Sequence, residues 1–247
     1  MQPPSLSIPL REGERLSKRI YMNATIKLDA RLFAVAEFVG GDFLCDVGTD
    51  HANLPIYLCQ TGRIAGAVAS DINEGPLARA EKNVRAHGLS DRIKTVLSDG
   101  LTALSSYSPT DIAIAGMGGI LIKDILSASD TAKTAHLVLQ PMSHAQILRE
   151  YLLVSGYEIS DEALAEEGGK IYQIISARYT GKAEKYTEAE LYVGRKNIEN
   201  RGKYPELFGK HLNKLIDTFS IKVNGGEIEA ERLYKEFLSL RSDANQI

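Results

Sequence analysis

The stretch FLCDVGTDHANLP, residues 43–55, indicates the architecture of this chain. A short apolar run from Phe43 to Cys45 leads to Asp46 and then to Gly48, where the backbone can turn tightly. Further apolar runs, separated by amphipathic stretches, follow at residues 65–70, 93–97, 112–115 and 137–139. This alternation predicts five parallel strands with helices between them, in a doubly wound sheet.

A different pattern begins after Gly156. Residues 157–167 and 170–179 are predicted to be two strands joined across Gly168 and Gly169, which is the spacing of a β-hairpin. The predicted fold class is therefore α/β and Rossmann-like, with a parallel sheet that is closed by an antiparallel hairpin.

Two of the helices between the strands carry end signals in the sequence. Pro76 lies in the first turn of one helix, and Gly88 followed by Leu89 predicts a Schellman ending for it. The other helix is expected to begin at Ser143, as its capping residue, and to end at about Val154.

The C-terminal part of the chain is predicted to be helical. Apolar residues recur at helical spacing after Pro205, and a second apolar stripe follows the turn at residues 224–226. Two such helices form an antiparallel hairpin that buries its apolar faces. The predicted organisation is an N-terminal extension of residues 1–27, an α/β domain of residues 28–181 and a helical, coiled-coil-like domain of residues 182–247.

Charge is distributed unevenly along the chain, whose formal net charge is −3. Residues 1–31 carry a net +3, residues 32–177 a net −8, residues 178–222 a net +4 and residues 223–247 a net −2. Because an acidic body lies between two basic segments, the net charge of the whole chain is a poor guide to its partners. A polyanionic partner and a solvated helix surface both explain the basic segments.

Composition excludes several classes of protein. The two cysteines, Cys45 and Cys59, cannot form a disulfide framework, and the five scattered histidines do not complete a zinc site, so buried thiols and no metal are expected. No apolar run approaches the roughly 18 residues of a membrane span, and the N-terminal segment lacks the apolar core of a signal peptide. We expect a cytoplasmic protein, with a monomer as the default.

The acidic loop after the first strand indicates the kind of ligand that binds there. It holds one glycine, Gly48, and the acidic residues Asp46 and Asp50, whereas a dinucleotide fingerprint supplies three glycines and a helix N-terminus for the pyrophosphate. Carboxylates repel a pyrophosphate but attract a cationic cofactor. S-adenosylmethionine carries a sulfonium and an ammonium group, so the sequence favours a methyltransferase over a dehydrogenase.

Acidic residues also end the next two predicted strands. Asp71 lies 25 residues after Asp46, where a carboxylate can hold the ribose hydroxyls of a nucleoside. Asp99, followed by Gly100, can accept a hydrogen bond from an adenine amino group. A single aspartate at a strand end is more often a cap or turn residue, but three at successive strand ends favour an adenosyl cofactor.

The fourth and fifth strands lead to a predicted rim for a planar group. Three glycines within residues 116–119 let a large flat group approach the backbone, although a tight strand-to-helix turn explains them as well. Gln140 offers a carbonyl and an amide, and Pro141 stiffens its loop. A nucleobase fits such a site because it is read by hydrogen bonds and stacked on apolar groups.

These blocks resemble the motifs of one family. The segments DVGTDHANLP at 46–55, NEGP at 73–76, DGL at 99–101, GMGG at 116–119, LQP at 139–141 and GY at 156–157 are similar to those of bacterial tRNA (adenine-N1)-methyltransferases that modify adenine 22. The resemblance begins near residue 28 and is strongest through Tyr179. It implies a class I methyltransferase domain with a helical C-terminal domain, S-adenosylmethionine as cofactor and tRNA as partner.

The resemblance also implies roles for individual positions. The implied catalytic residues are Asp50, His51 and Gln140. The implied cofactor site consists of Asp46, Gly48, Asp50, His51, Asp71, Ile72, Asp99, Gly100 and Gly116. The implied rim for the base consists of Met117, Gly118, Gly119, Gln140 and Pro141. No metal ligand is implied.

Three positions depart from the family pattern. Met142 stands where the family usually has asparagine, and Asp71 and Gln173 stand where it usually has glutamate. Asp71 keeps the carboxylate, whereas Met142 removes an amide that would lie near the base.

The implied reaction is an in-line displacement in which N1 of adenine attacks the sulfonium methyl group. N1 has a free lone pair, so neither deprotonation nor a Ser-His-Asp arrangement is required. Asp50 is expected to stabilise the charge of the methylated base or to accept a proton from its amine, with His51 orienting it. The alternative is that both residues only cap the next helix and shape the cofactor loop.

Basic residues in the two basic segments are expected to contact tRNA phosphates without reading sequence, with unliganded surface lysines as the alternative. They are Lys27, Arg31, Arg195, Lys196, Arg201, Lys203, Lys210 and Lys214. Two other functions stay open at this point. One is a class I methyltransferase acting on a small molecule or a protein amine, and the other is a non-catalytic protein that senses the cofactor.

Overall fold

The computed structural model describes residues 25–244, so most of the predicted N-terminal extension lies outside the described residues. The strands are β1 (Phe43–Val47), β2 (Gly66–Asp71), β3 (Ile93–Leu97), β4 (Asp111–Met117), β5 (His136–Pro141), β6 (Tyr157–Glu167) and β7 (Lys170–Tyr179). The α-helices are α1 (Ala30–Phe38), α2 (Asn53–Gln60), α3 (Glu74–Ala86), α4 (Gly119–Ser127), α5 (Ala145–Val154), α6 (Glu188–Val193), α7 (Arg195–Glu199), α8 (Pro205–Asn224) and α9 (Ile228–Ala244).

All seven strands belong to one sheet, in the order β3-β2-β1-β4-β5-β7-β6. Strands β1 to β5 are parallel, and β7 runs antiparallel to both of its neighbours, β5 and β6. The predicted parallel sheet with a closing hairpin is thus confirmed, and the hairpin strands have the predicted bounds. The chain order reverses between β1 and β4, so the ligand-binding crevice of such a sheet is expected at the carboxyl ends of these two strands.

Both faces of the parallel strands are buried, because helices cover the sheet on each side. Leu44 and Ala67 point into the core on the side of α1, α2 and α3. Cys45 and Val68, the next residues along the same strands, point into the core on the side of α4 and α5. Both cysteine thiols are free and buried. Among residues 25–244, no helix is long and apolar enough to cross a membrane.

Helix ends confirm one local prediction and correct another. At the end of α3, Gly88 has a φ of +70°, its N–H donates to Arg85 O, and the Leu89 N–H donates to Val84 O, as in a Schellman motif. Helix α5, in contrast, is not capped by Ser143. Its N-cap is His144, which has a left-handed backbone and makes no capping hydrogen bond with its side chain. The helix begins one residue later than predicted, and the Ser143 carbonyl instead accepts the N–H of Gly119 in a tertiary contact.

A buried chain of polar groups ties three strands together at the amino ends of β4 and β5. His136 lies between Asp111 and Ser176, with its Nδ1 2.7 Å from the Asp111 Oδ1 and its Nε2 2.7 Å from the Ser176 Oγ. Burial opposes ionisation of Asp111, but hydrogen bonds from His136 and from the Gly40 and Gly41 N–H groups hold the pKa of its carboxyl below the usual value. These residues resemble a catalytic triad in composition, yet all three side chains are buried and lie opposite the carboxyl edge.

The helical tail packs on the β6–β7 hairpin through its own apolar core. Tyr192, Phe219 and Phe237 meet edge to face, with ring centroids 5.1–6.2 Å apart. Leu164 of β6 belongs to the same buried cluster. The predicted helical hairpin is confirmed as α8 and α9. The domain boundary proposed between residues 181 and 182 falls in the connection between β7 and α6, and it stays a prediction.

A buried ion pair fixes this tail to the sheet. Arg149 of α5 and Glu162 of β6 have fully buried side chains, and the Arg149 Nε donates to Glu162 Oε1 over 2.6 Å. The remaining guanidinium nitrogens donate to Leu191 O and to Gln173 Oε1, while Glu162 Oε2 accepts the Lys196 N–H. One arginine therefore holds α5, the hairpin and the start of the tail together.

We expect Arg149→Ala to lower the free energy of unfolding by about 3–5 kcal/mol, because it leaves the Glu162 carboxylate buried without its partner. Urea denaturation measures this loss. The matched control is Arg85→Ala, which breaks an exposed ion pair with Glu81 within α3 and should cost a small fraction of that amount. Equal losses in the two variants would contradict the structural role of Arg149.

Candidate functional site

Two adjoining cavities open at the carboxyl edge of the sheet. The first, here called the β1 cavity, has a volume of about 320 Å³ and is lined by Asp29, Arg31, Asp46, Thr49, Asp50 and His51 among others. The second, here called the β2 cavity, has a volume of about 330 Å³ and is lined by Asp71, Ile72, Ser98, Asp99, Leu121 and Ile125 among others. Gly48, Ala115 and Gly116 line both cavities, so they form the wall that the cavities share.

The shared wall is made of backbone at two positions that require glycine. Gly48 and Gly116 have φ angles of +75° and +83°, which side-chain-bearing residues rarely adopt. The N–H groups of Gly48 and Thr49 both donate to Ser70 O, which fixes the loop after β1 against β2. Gly116 lies where the register between β4 and β5 shifts. A Cβ on Gly48 would lie 2.2 Å from the Met117 Cε, in the space between the cavities.

Asp46 places a buried carboxylate at the floor of the β1 cavity. Its Oδ2 accepts a hydrogen bond of 2.6 Å from the Thr49 hydroxyl. Burial raises the pKa of Asp46 to about 6, although the Thr49 hydroxyl and the Arg31 charge act in the opposite direction. A cationic ligand beside Asp46 would stabilise its ionised carboxylate, because a nearby positive charge favours the charged form.

Asp50 and His51 lie at the mouth of the β1 cavity in a strained loop. Asp50 has a φ of +49° and a carboxylate that is more than half exposed. Its Oδ1 accepts a hydrogen bond of 2.7 Å from Arg79 of α3, and its Oδ2 lies 3.6 Å from the His51 Nε2. The sequence reasoning did not find Arg79, because nothing in the periodicity of α3 indicates that it reaches this loop. Asn83, one turn further along α3, donates to His51 O and fixes the loop from the same side.

The residues predicted for the adenosyl part line the β2 cavity together. Asp71 Oδ1 accepts the N–H of Asn73, which leaves the other carboxylate oxygen for a ligand. Ile72 is 58% exposed and offers an apolar surface beside it. The structure therefore brings Asp71, Ile72, Asp99 and Gly100 to one place, and their contact with a cofactor stays a prediction.

The glycines of the GMGG block, residues 116–119, differ in what a side chain at each position would meet. A Cβ on Gly119 would lie 2.5 Å from His144 O, so this glycine is required by the packing of two backbone segments and not by a ligand. A Cβ on Gly118 would lie 3.3 Å from the Ser143 Oγ, which is a softer contact. Met117 lines the β2 cavity. Close packing against the backbone of residues 143–144 thus explains Gly119, and contact of Met117 and Gly118 with a base stays a prediction.

Gln140 departs from the predicted contact with the base, because its side chain is fully buried. Its Oε1 accepts hydrogen bonds from the Gly116 N–H, at 3.1 Å, and from the Arg31 Nη1, at 2.8 Å. Its Nε2 donates to Pro141 O and lies 3.6 Å from the Met142 Sδ. Both ends of the amide are engaged, so in this structure Gln140 positions its neighbours and does not face an open site. Pro141 is buried as well, whereas the Met142 side chain is about half exposed.

The predicted phosphate contacts fall into three groups. Arg31 does not lie on the outer surface, since it lines the β1 cavity with a side chain that is 20% exposed. Four residues of the tail are engaged within the protein: Arg195 with Glu184 and Glu190, Lys196 with Glu199, Lys210 with Glu166, and Arg201 with Ile198 O. Within residues 25–244, the exposed residues Lys27, Lys203 and Lys214 form no ion pair.

A groove of about 600 Å³ lies between the turn of the β6–β7 hairpin and α8. Three lysines line it, Lys170 from β7 and Lys210 and Lys214 from α8, together with the acidic residues Glu166 and Asp217. Lys170 was not predicted, because a lysine next to a hairpin turn is ordinary in a sequence and only the docked tail places α8 opposite it. The groove is named the hairpin groove below.

Comparison with known proteins identifies the class to which this site belongs. Residues 28–175 match the model of the family described as "Methyltransferase domain". A tRNA (adenine(22)-N(1))-methyltransferase of Bacillus subtilis is 37% identical over 172 residues, which cover 68% of this chain and 72% of that protein. The sheet and its cavities are thus those of a methyltransferase domain.

Solved structures narrow the assignment to one family. The structure of a Streptococcus pneumoniae tRNA (m1A22) methyltransferase in complex with S-adenosyl-L-methionine is 30% identical, with a TM-score of 0.79 over 87% of this chain and 100% of that one. In structural comparison with the Bacillus subtilis M1A22 tRNA methyltransferase, which spans more of both chains than the 172 residues above, the identity is 30% and the TM-score 0.73, over 90% of this chain and 98% of that one. The chain belongs to the tRNA (adenine(22)-N(1))-methyltransferase family, as the motifs of residues 46–157 predicted.

Ligand affinity should depend on pH through Asp46. If the ammonium group of S-adenosylhomocysteine binds near this carboxylate, binding favours the ionised form, and the raised pKa makes protonation compete below about pH 6. We expect Kd, measured by calorimetry, to be nearly constant above that pH and to rise by up to about tenfold per pH unit below it.

Asp46→Asn should bind the same ligand more weakly and remove this dependence, while Asp91→Asn, at an exposed position, should keep it. A pH dependence that survives in Asp46→Asn would contradict the assignment to Asp46.

Proposed function

We propose that this chain transfers a methyl group from S-adenosylmethionine to N1 of adenine 22 in tRNA. The observation that carries the proposal is the pair of cavities that meet at Gly48 and Gly116 in a chain of this family. A Streptococcus pneumoniae relative was crystallised with S-adenosyl-L-methionine and a Mycoplasma capricolum relative with S-adenosyl-homocysteine.

The residues of both cavities suit the two halves of this cofactor. The β2 cavity offers the Asp71 carboxylate for the ribose hydroxyls, Asp99 for the adenine amino group and the exposed Ile72 for the ring face. The β1 cavity offers Asp46 for the ammonium group. When bound, S-adenosylmethionine supplies an electrophilic methyl group on a positively charged sulfur. The sulfur position that joins the two halves then falls at the wall shared by Gly48 and Gly116.

Alignment accounts for catalysis better than proton transfer does. N1 of adenine attacks through a free lone pair, so the chain has to hold the base in line with the methyl group, and orientation of this kind lowers a barrier by about 7–11 kcal/mol. The Asp50 carboxylate is already paired with Arg79, which supports a role in shaping the cofactor loop.

The target base has to reach the mouth of the cavities with its Watson–Crick edge free. N1 lies on that edge, so adenine 22 is either unpaired or flipped out of its stack, at a cost of a few kcal/mol. Exposed apolar side chains at the carboxyl edge, Leu121 and Met142, offer surfaces on which an extruded base can stack. Met142 supplies this contact in place of the amide that the family usually has there.

Primer extension tests the proposed product directly. Incubation of the chain with S-adenosylmethionine and unmodified tRNA should create a stop at adenine 22, because methylation of N1 blocks base pairing. A tRNA with guanine at this position is the control and should give no stop there. Methyl transfer to a small molecule or a protein amine, without transfer to tRNA, would refute the proposal in favour of the other enzyme function.

We also propose that the hairpin groove binds the tRNA backbone. Lys170, Lys210 and Lys214 converge there, and Lys214 has no acidic partner among the described residues. The hairpin turn connects the groove with the cofactor cavities, since Glu167 Oε2 accepts the Ala30 N–H at the start of α1 and the next residue, Arg31, lines the β1 cavity. The hairpin beside the groove therefore also contacts the helix that carries Arg31.

The groove lysines should contribute to tRNA affinity through charge. Each phosphate contact that is lost lowers the slope of log Kd against log salt by roughly 0.7–0.9, so Lys214→Gln should show this change in filter binding. Its Kd for S-adenosylhomocysteine should stay at the wild-type value. The matched control is Lys235→Gln on α9, an exposed lysine outside the groove. An unchanged salt slope in Lys214→Gln would remove Lys214 from the interface.

The remaining expectations have a simpler basis. A monomer stays the default expectation for the active form. A substrate that is tRNA supports action in the cytoplasm. The hairpin groove lies at the junction of the proposed domains of residues 28–181 and 182–247, since both line it. Lys27, Lys203, Arg195, Lys196 and Arg201 are retained as further candidate phosphate contacts.

A further inference from the structure

The hairpin groove contains a carboxylate that a phosphate ligand does not explain. Lys170, Lys214 and Asp217 line the groove as exposed residues, and within residues 25–244 none of the three forms an ion pair. Two other charged residues of the groove, Lys210 and Glu166, pair with each other over 2.6 Å. Two ammonium groups and one carboxylate therefore remain for a ligand. The lysines suit a phosphate, whereas Asp217 repels one.

Asp217 belongs to a row of side chains along one face of α8. Asn213 lies one turn before it and Ile221 one turn after it, and all three line the groove. In the part of the chain that the structure describes, the Asn213 amide makes no hydrogen bond. Ile221 is 73% exposed, and Ile171 of β7 lines the groove from the hairpin. The groove thus offers a free amide, a free carboxylate and two apolar side chains beside its lysines.

We propose that the hairpin groove binds one unstacked guanosine nucleotide of the tRNA, with Asp217 at the Watson–Crick edge of the base. This inference rests on the proposed function, because it takes tRNA as the ligand. Guanine carries N1–H and N2–H donors side by side on this edge, and an ionised carboxylate accepts both. Adenine, cytosine and uracil lack two adjacent donors there, so the carboxylate selects guanine.

The other groove residues suit the rest of this nucleotide. The Asn213 amide can donate to guanine O6, which adjoins N1 on the same edge. Ile171 and Ile221 offer apolar contact to the base, and Lys170 and Lys214 offer ammonium groups to its phosphate. The groove volume of about 600 Å³ lies within the range of roughly 300–1,000 Å³ that is typical of small-ligand sites.

Asp217→Asn separates a guanine site from a phosphate site by the sign of its effect on tRNA binding. If the groove bound phosphates alone, the loss of a negative charge would strengthen binding. Because Asp217 accepts hydrogen bonds from guanine in our proposal, the variant should instead raise the Kd for tRNA by roughly tenfold. Filter binding measures this change, and the salt slope should stay at the wild-type value because the phosphate contacts are kept. Asp91→Asn, exposed and outside the groove, is the control and should leave the Kd unchanged.

Mononucleotides identify the base. With S-adenosylhomocysteine saturating the cofactor cavities, guanosine 5′-monophosphate and adenosine 5′-monophosphate are titrated separately into the chain, and the NMR shifts of the α8 amides are followed. The wild-type chain should bind the guanosine nucleotide more tightly by roughly tenfold. Asp217→Asn should lose this preference, while Lys214→Gln should weaken both nucleotides and keep it.

Three results would overturn the inference. In the first, Asp217→Asn binds tRNA as tightly as the wild-type chain or more tightly. In the second, the wild-type chain shows no preference between the two mononucleotides. In the third, light scattering shows a dimer that Asp217→Asn dissociates, which would assign the groove to a second copy of this chain. A primer-extension stop at adenine 22 alongside any of these results would leave the proposed function intact, whereas its absence would be a failure of the proposed function.

Discussion

The close approach of the β1 and β4 backbones at the carboxyl edge is the constraint on which the site depends. Gly48 and Gly116 both line the two cavities and have left-handed φ angles, and the N–H of each donates to a neighbouring strand. Gly48 donates to Ser70 of β2, and Gly116 donates to the Gln140 side chain of β5. A Cβ on Gly48 would lie 2.2 Å from the Met117 Cε, and one on Gly116 would lie 3.6 Å from the Arg31 Nη1, so a side chain at either position would narrow the wall that the cavities share.

The charges around the crevice then favour one kind of ligand and one orientation of it. Asp46 is buried with a raised pKa, so the free protein carries a carboxylate that a cationic ligand stabilises. Arg31 introduces one positive group among the acids of the β1 cavity, while Arg79 pairs with Asp50 at the mouth. The basic groups proposed for tRNA lie apart from these acids, in the hairpin groove. In the proposed function, the acidic cavities and the lysine-containing groove therefore have different ligands.

The sequence predicted the elements whose signals are local. The β6–β7 hairpin has its predicted bounds because the alternating strand pattern and the Gly-Gly turn occur in neighbouring residues. The Schellman ending of α3 was predictable because its signal is the adjacent pair Gly88 and Leu89. The side-chain roles were harder to predict. Arg31 contacts Gln140 across 109 residues of sequence, and this distant contact moves both residues away from the positions expected for them.

Contacts between residues far apart in the sequence also explain which functional residues could not be predicted. Arg79 reaches Asp50, Arg149 joins the tail to the sheet, and Lys170 faces α8 only because separate elements meet in the folded chain. The predicted cap at Ser143 was wrong for a related reason, since the Ser143 carbonyl is used by Gly119 of another loop. Helix and strand signals therefore indicate which edge of the sheet is functional, whereas the contacts between elements decide which side chains face it.

A crystal structure of this chain with S-adenosylhomocysteine tests the central claim most directly. The account predicts the sulfur at the wall shared by Gly48 and Gly116, the adenosine in the β2 cavity beside Asp71 and Asp99, and the ammonium group in the β1 cavity beside Asp46. An adenosine in the β1 cavity, or a sulfur remote from both glycines, would contradict it.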